Sequence, residues 1–229
     1  TAKRARVVID HILEHGSGFR RYHRESSAIW ERQALIRARV VCGPPEVDRA
    51  VTEVVAEFVY GRGLDERELV EIVMMRARME RELANEDAMH LNLKTGRGGL
   101  VDIEFLAQVL ALQHGHGDTR LRQRATRPLL DAAAEAGVLG TEQHAILIAG
   151  HSFLRGLENR LRIEGEQPVE RVVRQPAKLA SVARRMGIEA EGARAGKLLL
   201  ETWDRHRDAV RRVYEQRLGN LVRKADQKT

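Results

Sequence analysis

Apolar residues recur along this chain at intervals of three and four, the spacing that places them on one face of an α-helix. From Ser26 the apolar positions Ile29, Ala34, Leu35, Ile36 and Val40 lead to Gly43-Pro44-Pro45, which no helix crosses. Val47, Val51, Val54, Val55 and Phe58 define a second helix over 46–60, ended by Gly61-Arg62-Gly63. Asp65 is placed as the N-cap of a third, whose Leu69, Ile72, Val73, Met75 and Met79 run to about Leu83 with charges on the opposite face. After Thr95-Gly96-Arg97-Gly98-Gly99 comes the most apolar helix, through Ile103, Phe105, Leu106, Val109, Leu110 and Leu112 to Gly115. Short helices are expected over 128–136 and 178–186, and long ones from Thr141 to about Ile163 and from Glu191 to about Leu218, with a Pro-bounded loop over 165–176.

Eight helices without a convincing strand predict an all-α fold, a helical bundle built as one body or as two sub-bundles. The expected division is an N-terminal segment over 1–25 left from a preceding domain, a first sub-bundle over 26–115, a second over 116–219, and a disordered basic tail over 220–229. No repeat with a period of 20–50 residues is visible, which argues against a solenoid.

Composition narrows the setting. The single cysteine, Cys42, forms no internal disulfide, and no apolar run reaches the length of a membrane span. The basic start is followed by only Val7 to Ile9 before Asp10, too short for a secretory signal, so a cytoplasmic location is expected. A first residue that is Thr1 rather than Met suggests a piece of a longer protein. The formal charge is +6, and six lysines among 39 basic residues leave 33 arginines. A guanidinium offers a planar fork of donors that an ammonium lacks, so the bias points to phosphate, carboxylate or acidic partners.

Two patches concentrate the chemistry. In Trp30-Glu31-Arg32-Gln33-Ala34-Leu35-Ile36-Arg37-Ala38-Arg39, helical spacing would bring several guanidiniums together as a phosphate or carboxylate clamp. The competing reading is neutralisation by Glu25, Glu31 and neighbouring helices. In Lys94-Thr95-Gly96-Arg97-Gly98-Gly99, two cations and three glycines precede a helix start, whose unpaired amides favour anions. The alternative is a turn whose glycines let helices approach closely. Asp102 and Glu104 resemble a metal pair, but two positions along a helix point them apart, and Asp102 suits the positive helix end. The scattered histidines, His114-Gly115-His116 included, do not make a zinc site.

Tyr22-His23 followed by W-E-R-Q-A-L-I-R-A-R, then L-K-T-G-R-G-G-L-V-D-I-E-F-L-A-Q over 93–108 and F-L-R-G-L-E-N-R-L-R-I over 153–163, resembles the glutamine synthetase adenylyltransferase (glutamate-ammonia-ligase adenylyltransferase) family. The resemblance covers roughly 19–218. It implies an enzyme that transfers AMP from ATP to a tyrosine of glutamine synthetase and, through a second homologous half, removes it by phosphorolysis. Each half pairs a nucleotidyltransferase domain with a helical domain, with a PII-type signal protein as a further partner and ATP and Mg²⁺ as cofactors.

The family's Gly-Ser and Asp-x-Asp are missing here: no Asp-x-Asp follows Gly16-Ser17, and Asp10 lies too close to Phe19 to replace the later acid. The resemblance therefore implies the helical portion that follows the catalytic domain, with no catalytic residue or cofactor of its own. Arg32, Arg37, Arg39, Lys94 and Arg97 become the phosphate candidates, with Glu31, Asp102 and Glu104 positioning them through ion pairs. Two alternatives stay open. One is a non-catalytic docking module for glutamine synthetase or a regulator; the other, weakened by interleaved acids and few aromatics, is a nucleic-acid binder.

Overall fold

The computed structural model describes residues 28–164 and 171–226, and their side chains over 28–163 and 171–219. The segment over 1–25 lies outside the described residues. The described chain forms α1 (Ile29–Leu35), α2 (Pro45–Tyr60), α3 (Glu66–Leu83), β1 (His90–Asn92), α4 (Leu100–His114), α5 (Thr126–Glu135), α6 (Thr141–Glu164), β2 (Arg171–Val173), α7 (Pro176–Arg185) and α8 (Gly192–Asp226). It is a helical bundle, and its eight helices are those the apolar spacing predicts.

The expected absence of strands does not hold. β1 and β2 pair antiparallel, with His90 opposite Val173 and Asn92 opposite Arg171, so β2 arises inside the stretch predicted as a loop. Three residues are too few for alternation to register, and only Leu91, Asn92 and Val172 are buried. α1 also ends at Leu35, short of Val40, in a last turn of i to i−3 bonds from Ile36, Arg37 and Ala38. Arg37 and Arg39 therefore leave the helix that carries Arg32. At the other end, α8 stays helical to Asp226, where a disordered tail is predicted.

α4 is buried on nearly every side, as a helix with apolar residues all round must be, and forms the axis of the molecule. One contiguous cluster of buried side chains extends from Ile29 to Leu218 and crosses residue 116 without a break. α8 packs on α3, α4, α6 and α7 through Leu199, Trp203, Val210, Val213 and Tyr214. A Cβ on Gly196 would collide with the carbonyl of Pro176, so only glycine allows α8 to lie this close to the start of α7.

Local chemistry supports the packing. Asp65 caps α3 as predicted: its Oδ1 accepts from the Glu68 amide at 2.8 Å while Glu68 Oε2 accepts from the Asp65 amide at 3.1 Å. Asp65→Ala is expected to remove about 1 kcal/mol of stability, read as a lower urea midpoint at unchanged slope. No helix of the described residues is long and apolar enough to cross a membrane.

Candidate functional site

The glycine-rich turn and the start of α4 form a closed ionic hub. Asp102, fully buried in the first turn of α4, accepts from Arg76 Nε on α3 at 2.6 Å and from the Gly98 amide at 2.8 Å. Arg211 of α8 approaches the oxygen that accepts from Gly98 at 3.4 Å and also pairs with Glu80 and Glu215, at 2.9 and 2.7 Å. Burial opposes the charge of Arg211, yet Asp102, Glu215 and Glu80 hold its pKa above the ordinary arginine value. Burial and the nearby Asp102 push the Tyr214 phenol upward.

The amides of this turn already have partners. Leu100 donates to Leu93 O, Val101 to Lys94 O and Gly98 to Asp102, so the helix start is neutralised from within the chain. Gly98 has φ +68, and a side chain there would strike the backbone of Arg207, whose Nε donates to Arg97 O at 3.1 Å. Arg97 itself faces Asp208 at 3.1 Å and Glu215 at 3.7 Å. The glycines of this turn serve close packing of α8.

The other candidates separate. Arg32 is buried: its Nε donates to Val59 O at 3.0 Å, and the fork also meets the carbonyls of Arg62 and Gly63 and the carboxylate of Glu68. It satisfies the open carbonyls beyond the last turn of α2, and burial, with Arg62 nearby, lowers its pKa. Glu31 accepts from the Ala28 amide at 3.4 Å. Lys94 lies 3.7 Å from Glu158. Asp102 pairs with Arg76 and Arg211 and with none of the predicted cations.

Glu104 does meet a predicted partner. It bridges Arg37 at 3.1 Å and Arg155 of α6 at 2.7 Å, and Arg155 continues to Glu158 at 2.8 Å. Beside this chain of charges opens a cleft of about 500 Å³ lined by Arg37, Arg39, Arg124, Arg127, His151 and Arg155. Burial, then Arg155, pushes the His151 pKa down, with Glu104 opposing, which favours the neutral imidazole near pH 7. Of the five predicted cations, the structure brings only Arg37 and Arg39 together.

Several of these residues escape a reading by spacing. Arg76 sits on the apolar stripe of Ile72, Val73 and Met79, where a charge signals a buried partner. Arg124 and Arg127 flank the start of α5, the end of a helix dipole that disfavours cations, and that conflict was the available signal. Among the described residues no group of three His, Cys, Asp or Glu is placed to hold a metal ion.

A helical bundle with a self-neutralised arginine hub and an open cationic cleft is the class that fold and geometry define. The sequence profile described as GlnD PII-uridylyltransferase matches residues 72–218, and the chain belongs to that family. It is 31% identical over 195 residues to the bifunctional glutamine synthetase adenylyltransferase/adenylyl-removing enzyme of Streptomyces coelicolor, covering 85% of this chain and 19% of that protein. Its similarity to the enzyme of the same name from Streptomyces avermitilis is 36% over 173 residues, covering 75% and 17%. For the Mycolicibacterium smegmatis enzyme it is 37% over 143 residues, covering 62% and 14%. The chain thus spans less than a fifth of the length of these relatives.

Proposed function

We propose that this chain is the helical module of a glutamine synthetase adenylyltransferase or adenylyl-removing enzyme, acting beside a catalytic domain that supplies the chemistry. The observation that carries the reading is the similarity to bifunctional enzymes of that name over 195 residues. The side chains support a non-catalytic part. Asp102 is enclosed by Arg76, Arg211 and the Gly98 amide, and Glu104 is held between Arg37 and Arg155, so neither is placed to bind Mg²⁺ or to move a proton. The described residues do not fit a metal site.

In this reading ATP and Mg²⁺ belong to the intact parent, and glutamine synthetase and a PII-type protein are its partners. Arg32, Lys94 and Arg97 hold the module together through Glu68, Glu158 and the pair Asp208 and Glu215, while Asp102 and Glu104 pair with other arginines and Glu31 accepts from the Ala28 amide. Arg37 and Arg39 are the cations that face outward toward nucleotide or target. The chain alone is expected to transfer no AMP and to release none. In the parent, Arg37→Ala with Arg39→Ala should lower kcat/KM roughly tenfold or more, as loss of charged hydrogen bonds does, while Arg78→Ala on the exposed face of α3 should not. A rise in KM for ATP places the pair at nucleotide, and a rise in KM for glutamine synthetase favours the docking role. Unchanged kinetics in both would remove the pair from the site.

A further inference from the structure

The cleft beside α5 holds a concentration of positive charge that the ion pairs of the fold use only in part. Its lining includes five arginines and no carboxylate. Glu104 is the acid beside it, and it is shared between Arg37 and Arg155. Arg39, Arg124 and Arg127 have no ion-pair partner among the described residues, in contrast to the hub, where each arginine meets an acid. Like charges gathered without counterions repel and oppose compaction. Four elements contribute to this gathering: the turn after α1, the segment before α5, the first turn of α5, and α6 through His151 and Arg155.

The start of α5 adds a second, independent source of positive potential. Ala125 at the N-cap supplies no side-chain acceptor, and the first turn contains no acid. Its orphan amides carry the positive end of the helix dipole, and Ala125, Thr126, Arg127 and Pro128 form one wall of the cleft. A helix start flanked by Arg124 and Arg127 that lacks both a side-chain cap and an acid is electrostatically unfavourable until an anion is present. An oxyanion resolves both conflicts at once, because amides and guanidinium forks donate to the same oxygens.

A larger apolar cleft of about 610 Å³ adjoins this one through Arg39, Arg124 and Ala125, walled by Ile36, Val51, Val55 and Tyr60. Arg122 covers the Tyr60 ring, its guanidinium carbon 5.2 Å from the ring centre. The two lobes together suit a phosphate chain in the cationic part, with room beside it for an attached organic group.

We propose that the cleft between the turn after α1, the N-terminus of α5 and α6 is a binding site for a polyanionic phosphate ligand, with Arg39, Arg124 and Arg127 as its free guanidiniums. The site stands on the geometry of the cleft and does not depend on the parent being an adenylyltransferase. Its shared chemistry is the phosphate oxyanion; an inorganic chain and a nucleoside triphosphate are the two sources the lobes would admit.

The test is calorimetric titration of this 229-residue chain at low salt with inorganic tripolyphosphate and with metal-free ATP. Saturable one-to-one binding of tripolyphosphate is expected. The double variant Arg124→Ala/Arg127→Ala should weaken it roughly tenfold or more, while Arg184→Ala on α7 leaves it unchanged. Neither cleft arginine holds an ion pair, and both sit among like charges, so the double variant should unfold at the same or a slightly higher urea midpoint, which separates lost binding from lost folding. Equal binding of ATP would assign the cleft to the phosphate chain alone, and tighter binding of ATP would add the apolar lobe to the site. Absence of tripolyphosphate binding would overturn the proposal. So would unchanged binding by the double variant, or an oligoglutamate or single-stranded oligonucleotide competing as well as tripolyphosphate, which would make the cleft a general surface for acidic macromolecules.

Discussion

Asp102→Ala is expected to cost about 3–5 kcal/mol of folding stability, the range seen when one partner of a buried ion pair is removed. The variant leaves Arg76, 1% exposed, without its 2.6 Å acceptor, and leaves the Gly98 amide with no carboxylate to receive it. Glu80 lies 3.4 Å from Arg76 and only partly replaces the lost charge. For a chain of this size the melting temperature should fall by on the order of 10 °C. Asp102→Asn should lose less, because an amide oxygen can still accept from Gly98 although the charge is gone. Equilibrium urea unfolding of the three proteins measures both differences, and a loss below about 1 kcal/mol for Asp102→Ala would show the hub to be dispensable.

Gly98→Ala should be comparably damaging for a different reason. The residue has φ +68, a region that costs a side-chain-bearing residue about 1–2 kcal/mol. The added methyl would also lie 2.6 Å from the carbonyl carbon of Arg207, which is helix backbone and cannot turn aside as a side chain can. Forced overpacking adds about 1–3 kcal/mol, so a combined loss of about 2–5 kcal/mol is expected. Because the collision displaces α8 from the turn, hydrogen exchange should rise at the Gly98 and Leu100 amides and along the middle of α8. Protection equal to that of the unchanged chain would contradict the close packing described above.

The helices were legible because the core is built from long amphipathic stretches whose period survives in a single sequence. α4 could be recognised as the central helix from its apolar content alone. The small ladder of β1 with β2 could not, since three residues give no period and its pairing joins positions some eighty residues apart. The end of α1 at Leu35 mattered more for the site. Spacing extended along an assumed helix grouped Arg32 with Arg37 and Arg39, while the real turn buries Arg32 against α2 and sends the other two toward α5 and α6.

The same limit explains the glycine-rich turn. Its amides and cations meet anions that belong to the chain itself: Asp102, Glu86 in the loop before β1, Glu158 on α6, and Asp208 and Glu215 on α8, most of them brought in by tertiary packing. Arg76 and Arg211 were invisible to a search for clustered motifs because each contributes one charge from a distant helix. The surplus of arginine therefore divides into two populations, one neutralised inside the fold and one left facing an open cleft.

Thermal unfolding of Arg207→Ala and Arg127→Ala, with and without millimolar tripolyphosphate, tests that division most directly. Arg207 pairs with Glu86 at 2.8 Å in the hub, so its variant should melt lower in plain buffer and keep the full rise on adding tripolyphosphate. Arg127→Ala should melt with or slightly above the unchanged chain in plain buffer and lose most of the ligand-dependent rise. The opposite pattern, or the same pattern for both variants, would contradict the division between arginines that hold the fold and arginines that hold a ligand.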